Sequence, residues 1–315
     1  MMQFIKDTTV IPFMKIKGIV EILCVALVVG SIVCMCFKGL NWGLDFTGGI
    51  VVETQYTNGI DLESVKKAYA EQGIVGTTQH FGSQRDVLVR VAPKDGLDQE
   101  TVTGKVMAAS RTIDKDVKLS RSEYVGPAVG EELVESGVIA IVVSLLAILA
   151  YIAFRFEWRM ATGAVISLAY DVIVVLGCFS IMQVEYDLRV LAAVLTVVGY
   201  SLNDKIVVFD RIRENAVKLP RNVEIQRLFD VSLTQTLSRT IITSGTTLIT
   251  VVSLMIFGGE MIYGFALALF VGIVFGTISS IYVASTWTLL LGIQRENLVP
   301  KKVERKETDG FETMD

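Results

Sequence analysis

Residues 18–37 read GIVEILCVALVVGSIVCMCF, an apolar run whose single charged residue is Glu21. A helix needs about 20 residues to cross the hydrocarbon core of a bilayer, which is about 30 Å thick, and this run has that length. It is too long for the hydrophobic core of a cleaved signal peptide, and no small-residue cleavage pattern follows it. The run therefore predicts an uncleaved membrane anchor, with Glu21 solvated near the membrane edge.

Apolar runs of similar size recur along the chain. They cover residues 136–154, 161–182, 190–209, 241–257 and 263–292. The whole chain is 52% hydrophobic, and its mean hydropathy is +0.55. These features predict a polytopic α-helical membrane protein with about six transmembrane helices, helix 1 at 18–37 and helices 2–6 within 136–292.

Basic residues are concentrated in alternate loops, and this pattern orients the predicted helices. The basic side comprises Lys6, Lys15, Lys17, Arg155, Arg159, Arg211, Arg213, Lys218, Arg221, Arg227, Lys301, Lys302, Arg305 and Lys306. The intervening loops contain only Arg189 in residues 183–189 and no basic residue in 258–261. Because cytoplasmic loops carry the excess of Lys and Arg, we expect residues 1–17 and the tail 293–315 to be cytoplasmic.

Residues 38–135 form the one large loop and would lie outside the cytoplasm. Sequence patterns predict strands at 50–56, 74–81, 86–91 and 117–125, and helices at 61–72 and 97–113. The order β-α-β-β-α-β is that of a ferredoxin-like α+β unit. A domain of fewer than about a hundred residues buries only a modest core, so we expect it to lean on a partner or on the membrane surface.

Composition disfavours several functional classes. The formal net charge of -4 does not suggest a nucleic-acid partner. The cysteines Cys24, Cys34, Cys36 and Cys178 lie in apolar runs, where no disulfide framework is expected. His80 is the single histidine, and no nucleophile–base set, metal cluster or nucleotide loop is recognisable. We therefore expect no enzyme activity, no metal and no cofactor.

Asp204 lies inside the fourth apolar run. An Asp at the centre of a membrane helix costs about 2.5–3.5 kcal/mol, so such a group is rarely without a role. Thr196, Tyr200 and Asn203 form a semi-polar stripe beside it at i, i+4, i+7 spacing, which indicates a face turned into the bundle. The chemistry suggested is proton or ion exchange, and the alternative is a purely structural ion pair.

Arg239 is the expected partner of Asp204. Helix 4 runs outward to inward and helix 5 runs back, and at about 1.5 Å per residue both groups fall at a similar depth near the cytoplasmic side. Thr243, Thr247 and Thr250 continue the Arg239 face as a row of hydroxyls, as a proton or hydrated-ion path would need. The alternative is an interfacial Arg that extends to the headgroups.

Asp171 lies near the middle of the third run, one turn after Ser167. It is a second candidate relay acid, although hydrogen bonding between helices explains it almost as well. In the sixth run small residues recur every fourth position and predict a helix-packing surface. These residues are Ala268, Gly272, Gly276 and Ser280.

The segment GLDFTGG at residues 43–49 leaves the first helix. Its residues Gly43, Asp45, Phe46, Gly48 and Gly49 predict a tight, specific turn at the membrane surface. A phosphate-binding loop is the rival interpretation. It is disfavoured because no Lys-Ser or Lys-Thr follows and no helix opens directly after the motif.

Four segments, taken together, resemble a known family. They are GLDFTGG (43–49), VGYSLND (198–204), VVFDRIREN (207–215) and LSRTIITS (237–244). In sequence and order they resemble the SecF family, whose members belong to the SecDF accessory complex of the bacterial Sec translocase. The resemblance extends from about the first predicted helix to the end of the sixth.

The resemblance implies an RND-like half of a pseudo-symmetric assembly in the bacterial cytoplasmic membrane, with SecD as the other half. It implies that a proton gradient, or sodium in some relatives, helps to draw unfolded preproteins out of SecYEG, with YajC as a further candidate partner. The family's membrane acid of the fourth helix and arginine of the fifth take part in ion coupling. Those roles map onto Asp204 and Arg239.

Two positions depart from the family pattern. Lys205 follows Asp204 where a small or hydroxyl residue is expected, and Tyr170 precedes Asp171 where relatives often carry His. Successive helix residues point about 100° apart, so Lys205 need not pair with Asp204, but a second cation there could change the coupling ion.

Two other functions stay open. Half of a small-molecule RND-type exporter would have much larger external loops. A non-conducting assembly subunit that braces the translocon would tolerate neutral residues at Asp204 and Arg239.

Overall fold

The computed structural model describes residues 10–92 and 98–298. Five of the basic residues used for orientation lie outside the described residues, namely Lys6, Lys301, Lys302, Arg305 and Lys306. The elements in chain order are α1 (Lys17–Lys38), β1 (Asn41–Trp42), α2 (Leu44–Thr47), β2 (Gly49–Gln55), α3 (Leu62–Glu71), β3 (Gly76–Phe81), β4 (Ser83–Val91), α4 (Gln99–Ile113), β5 (Lys118–Val125), α5 (Pro127–Arg155), α6 (Trp158–Met182), β6 (Glu185–Tyr186), α7 (Leu188–Lys218), α8 (Ile225–Phe257), α9 (Glu260–Ile281), α10 (Val283–Leu290) and α11 (Arg295–Leu298).

Within the described ranges, six helices are long and apolar enough to span a membrane, which confirms the fold class. They are α1, α5, α6, α7, α8 and the pair α9–α10, whose two helices meet at Tyr282. The end of the bundle that carries the α+β domain (β2–β5 with α3 and α4) is called the domain side. The opposite end, where α1 begins and α10 ends, is called the terminal side.

Two helices continue well beyond their apolar runs at the terminal side. α7 extends to Lys218, and α8 begins at Ile225 instead of Ile241. Ile212 of α7 and Leu228 of α8 share a fully buried apolar cluster, and this packing keeps the added turns helical. The basic loop predicted between these helices is therefore mainly helix.

The α+β domain has the predicted order β-α-β-β-α-β. Its sheet is antiparallel with strand order β3-β4-β2-β5, which is the ferredoxin-like arrangement. α3 and α4 cover one face, where Val65 and Val106 pack with Val52 and Val89. The alternation of apolar residues along β2 and β4 creates this face because successive strand residues point to opposite sides.

The other face of the sheet rests on the glycine-rich motif. Val51 and Leu88 pack with Leu44 of α2 in a small buried cluster. Gly48 and Gly49 have φ values of 64° and 118°, which glycine adopts without a Cβ penalty. The motif thus makes a tight turn, and the domain leans on it.

Backbone pairing ties this motif to the start of α7. β1 pairs in parallel with β6, and the Gly43 N–H donates to the Tyr186 carbonyl at 2.8 Å. The Asp45 carboxylate accepts a hydrogen bond from the Leu188 N–H at 3.0 Å, so it satisfies a free amide of the first turn of α7. The Phe46 ring stacks on Tyr186 with centroids 6.0 Å apart.

An ion pair closes the same junction. Arg90 of β4 lies 2.5 Å from a carboxylate oxygen of Glu185 in β6 and also donates to the Trp42 carbonyl at 2.5 Å. Burial raises the pKa of the Glu185 carboxyl, and the Arg90 guanidinium and the Leu44 N–H oppose that shift. Arg90 therefore stabilises a carboxylate that is held away from water.

Close packing of α7 on α9 depends on small residues, as the sequence predicts. A Cβ added at Gly272 would overlap the Val197 side chain, and one at Gly276 would lie 3.0 Å from Ser201 Oγ. Small residues let two helix backbones approach in a membrane, where dispersion contacts drive association.

We expect Arg90→Ala to loosen the junction by about 1.5–3 kcal/mol, the usual range for hydrogen bonds to charged groups, because Glu185 keeps a shielded charge without its cation. Amide exchange in residues 41–49 and 185–188 should become roughly 10–150-fold faster, measured by hydrogen–deuterium exchange. Arg85→Ala, an exposed position on the same strand, is the matched control. Equal exchange in the two variants would contradict this role of Arg90.

We expect Gly272→Val to lower stability by about 1–3 kcal/mol because the added methyl groups cannot be accommodated against Val197. The midpoint of thermal unfolding of the purified chain measures this effect. Gly30→Val is the control, since nothing lies within 4 Å of a Cβ built at Gly30. A similar midpoint for both variants would show that the α7–α9 contact can relax.

Candidate functional site

The polar groups of the membrane interior centre on one turn of α7. Ser201, Asp204 and Lys205 all lie there and are all buried, with Asp204 5% exposed and Lys205 fully covered. Because Asp204 and Lys205 are adjacent and point about 100° apart, they meet different neighbours. The turn therefore presents two separate charged environments.

Lys205 forms a buried ion pair with Asp171 of α6. Its Nζ lies 3.0 Å from Asp171 Oδ2, and neither side chain has any exposed surface. Ser201, one turn before Lys205, donates to the same carboxylate oxygen at 2.6 Å and accepts from the ammonium at 2.5 Å. The three groups join α6 to α7 in a region where no solvent weakens the attraction.

Two oxygens on the α6 side of this cluster are unpaired within the described residues. Asp171 Oδ1 and Ser167 Oγ are both buried and make no hydrogen bond there. Ser167 lies one turn before Asp171, so the two residues share a helix face. Buried polar atoms are almost always hydrogen-bonded, so each exception calls for an explanation such as strain, a bound water or ion, or a functional role.

Asp204 has no hydrogen-bonding or salt-bridge partner within 4 Å in the part of the chain described. It does interact electrostatically with Lys205 and with Arg239 of α8. Arg239 is exposed, and its guanidinium interacts with the Asp204 carboxylate through charge alone, without a hydrogen bond or salt bridge among the described residues. The direct Asp204–Arg239 ion pair expected from their similar depth is thus not formed in this state.

The predicted polar lining is only partly connected. The Tyr200 hydroxyl and the Thr247 hydroxyl are 3.5 Å apart and link α7 to α8. Thr243 and Thr247 donate to carbonyls of their own helix, at 3.0 and 2.9 Å, as hydroxyls in membrane helices commonly do. Asn203 is exposed. The hydroxyl row therefore offers acceptor oxygens and is not a continuous chain of hydrogen bonds.

Glu21 is not the fully solvated residue that its place in the first run suggested. Its Oε2 is buried and has no hydrogen-bonding partner among the described residues. It lines a cavity of about 280 Å³ between α1, α6 and α10, together with Tyr170 and Trp287. Glu21 is therefore partly buried instead of solvated, because α1 packs beside α6 and both Glu21 and Ile166 line this cavity.

The sequence identified Asp171 and Asp204 as membrane acids but did not identify the Lys205–Asp171 pair. The available signal was charge: a Lys inside an apolar run needs a buried anion, and few acids lie in the other runs. Which acid pairs with Lys205 depends on which faces of the helices pack against each other. It follows from tertiary packing, which periodicity within one helix does not specify.

We expect Lys205→Met or Asp171→Asn to lower stability by about 3–5 kcal/mol each, because either change leaves a charge or a polar group buried without its partner. The double variant should cost less than the sum of the two, a coupling that thermal unfolding of all four proteins measures. The exposed Arg155–Asp210 pair, also 3.0 Å apart, is the control and should couple by about 0–1 kcal/mol. Equal coupling in the two pairs would contradict a special role for burial.

Comparison with known families identifies two matching regions. Residues 105–294 match the family described as protein export membrane protein SecD/SecF, C-terminal. Residues 35–60 match the SecD/SecF GG motif, which includes the turn at 43–49. The first match spans most of the membrane bundle, and the second spans the junction with the α+β domain.

Similar proteins agree with these matches. The chain is 49% identical to the protein translocase subunit SecF of Vibrio alginolyticus over 100% of both chains. It is 44% identical to SecF of Escherichia coli O157:H7, over 90% of this chain and 88% of that one. The crystal structure of SecDF from Thermus thermophilus superposes with a TM-score of 0.83 at 36% identity, covering 92% of this chain.

The chain spans 40% of the length of that SecDF protein, whereas it covers the SecF relatives almost end to end. The match to the Vibrio alginolyticus protein extends over the whole chain and so includes both family regions. The chain belongs to the SecD/SecF family of protein export membrane proteins, as a SecF.

Proposed function

We propose that this chain is the SecF subunit of the Sec protein-export machinery and that, with SecD, it uses the proton-motive force to promote preprotein translocation through SecYEG. The observation that carries the proposal is Asp204, a nearly buried carboxylate with no contact partner among the described residues and two cations within electrostatic range. A carboxylate in that position can exchange a proton and change its attraction to both cations.

The SecD partner fits the surface of the bundle. α1, α5 and α8 bury few of their residues within this chain, and Arg239 and Asn203 are exposed although they lie on membrane helices. Charged and amide groups rarely face lipid. We propose that SecD covers this α7–α8 face and that lipid and YajC contact other faces. SecD would correspond to the part of the SecDF protein that this chain does not cover.

The proposed location is the bacterial cytoplasmic membrane, with both termini in the cytoplasm and the α+β domain outside. Arg155, Arg159 and Arg221 are at the terminal side, whereas residues 183–187, which connect α6 to α7 at the domain side, contain no Lys or Arg, and Arg189 lies in the first turn of α7. The positive-inside rule therefore supports a cytoplasmic terminal side.

Helix α7 supplies a mechanical route from the membrane site to the domain. Asp204 lies sixteen residues after Leu188, about 24 Å along one continuous helix. The amide of Leu188 is bonded to Asp45 of the glycine motif, and Glu185 just before it is paired with Arg90 of the domain. In the proposed cycle, neutralising Asp204 shifts α7, and this junction transmits the shift.

A potential of 100 mV supplies about 2.3 kcal/mol per charge that crosses, so work on a polypeptide requires repeated cycles. The proton is the proposed ion, with sodium as the alternative used by some relatives. No bound cofactor and no enzymatic step are part of the proposal.

Two alternative functions make different predictions. A small-molecule exporter half would need larger external loops than the single α+β domain, and the SecF relatives argue against it. A non-conducting subunit that braces the translocon would tolerate neutral residues at Asp204 and Arg239. Only an energised export measurement separates the second alternative from the proposal.

We expect Asp204→Asn to abolish gradient-dependent stimulation of preprotein export while leaving assembly with SecD intact, because the amide is nearly isosteric and cannot take up a proton. Single-turnover export into energised inverted membrane vesicles, with and without an ionophore, measures this effect.

Asp210→Asn is the matched control, an acid-to-amide change on the same helix at an exposed position paired with Arg155. It should keep the gradient dependence of the wild type. Full gradient-dependent export by Asp204→Asn would support the bracing function and overturn ion coupling through this carboxylate.

A further inference from the structure

The Lys205 ammonium is held by oxygen atoms. Its Nζ lies 3.0 Å from Asp171 Oδ2 and 2.5 Å from Ser201 Oγ, and the Ser201 hydroxyl donates to the same carboxylate oxygen. Carboxylate and hydroxyl oxygens are also the ligands that hard cations prefer. The side chain of Lys205 therefore places a positive charge among the kind of atoms that bind a free cation.

More oxygen ligands are present on α6 than the ammonium uses. Asp171 Oδ1 and Ser167 Oγ are buried on the same helix face and make no hydrogen bond within the described residues. With Ser201 Oγ and Asp171 Oδ2 they give four buried oxygens on facing turns of α6 and α7, which together carry one negative charge. Such a set suits a monovalent cation better than a divalent one, because a second positive charge would be uncompensated.

The surroundings close this set on the side of α9. A Cβ at Gly276 would lie 3.0 Å from Ser201 Oγ and 3.8 Å from Asp171 Oδ2, so the glycine backbone forms a close wall. Among the described residues, Asp204 interacts electrostatically with Lys205, Arg239 interacts with Asp204, and Glu21 interacts with Tyr170. While the ammonium is present, Asp171 is already neutralised, and a free cation would have to lie against a like charge.

We propose that the Lys205 ammonium is a tethered cation that occupies the position beside Asp171 where a monovalent cation would bind. It therefore excludes free sodium from this carboxylate. Removing the ammonium turns Asp171, Ser201 and Ser167 into a sodium site. Lys205 thereby determines which ion the membrane domain can use. The effect of Lys205 on ion choice rests on the proposed ion coupling, in which Asp204 remains the carboxylate that exchanges an ion. The sodium site at Asp171 is tested by binding alone.

The test uses the full chain purified with SecD and the variant Lys205→Ser, which removes the charge, leaves room and adds a hydroxyl. Equilibrium binding of radioactive sodium and the thermal midpoint in sodium chloride against choline chloride at constant ionic strength are measured. Lys205→Ser should gain saturable sodium binding over the wild type and an upward shift of the midpoint specific to sodium. Lys205→Ser/Asp171→Asn should lose both gains.

Three results would overturn the proposal: no gain in a folded Lys205→Ser protein, a gain that survives Asp171→Asn, or sodium binding in the wild type that Asp171→Asn removes. A Lys205→Ser protein that folds no better in sodium chloride than in choline chloride counts as no gain, because a bound sodium ion would replace the lost ammonium. If Asp204→Asn kept full gradient-dependent export, the proposed function would fail, but the sodium-binding results would be unchanged. The two proposals are therefore tested separately.

Discussion

The ion pair between Lys205 and Asp171 is the strictest constraint on the packing of the described membrane helices. An ammonium and a carboxylate cannot remain apart in a region that excludes water, because the attraction is strong there and desolvation of either charge alone is costly. Their contact at 3.0 Å requires α6 and α7 to bring these two side chains to the same depth and onto facing sides. The close wall at Gly276 places α9 against the same turn. Three helices therefore meet at a single polar cluster.

The same helix that carries the cluster also reaches the α+β domain. α7 begins at the junction where Asp45 caps its first turn and Arg90 holds Glu185, and it passes Asp204 on the way to the terminal side. A continuous helix resists bending because its backbone hydrogen bonds are all internal. In the proposed cycle, a change at Asp204 would reach the domain through this continuous helix.

Local sequence signals predicted much of the fold. Apolar length specified six membrane helices, and the alternation in β2 and β4 with capped helices between them specified the ferredoxin-like order. The extensions of α7 and α8 were not predicted, because their helicity depends on Ile212 packing against Leu228 across a gap in sequence. Glu21 was misplaced for a similar reason, since neighbouring α6 and α10 decide whether it meets water.

By itself the sequence determined that this protein spans a membrane, where its folded domain is inserted, and that acids and bases lie within the spans. Those properties depend on the length, polarity and spacing of residues along one element, which any single helix or strand expresses alone. Only the tertiary structure decided that Lys205 pairs with Asp171, that Asp204 and Arg239 stay apart, and that the glycine motif caps α7. These facts depend on the rotation and depth of one helix relative to another, and the summed packing of many side chains sets both.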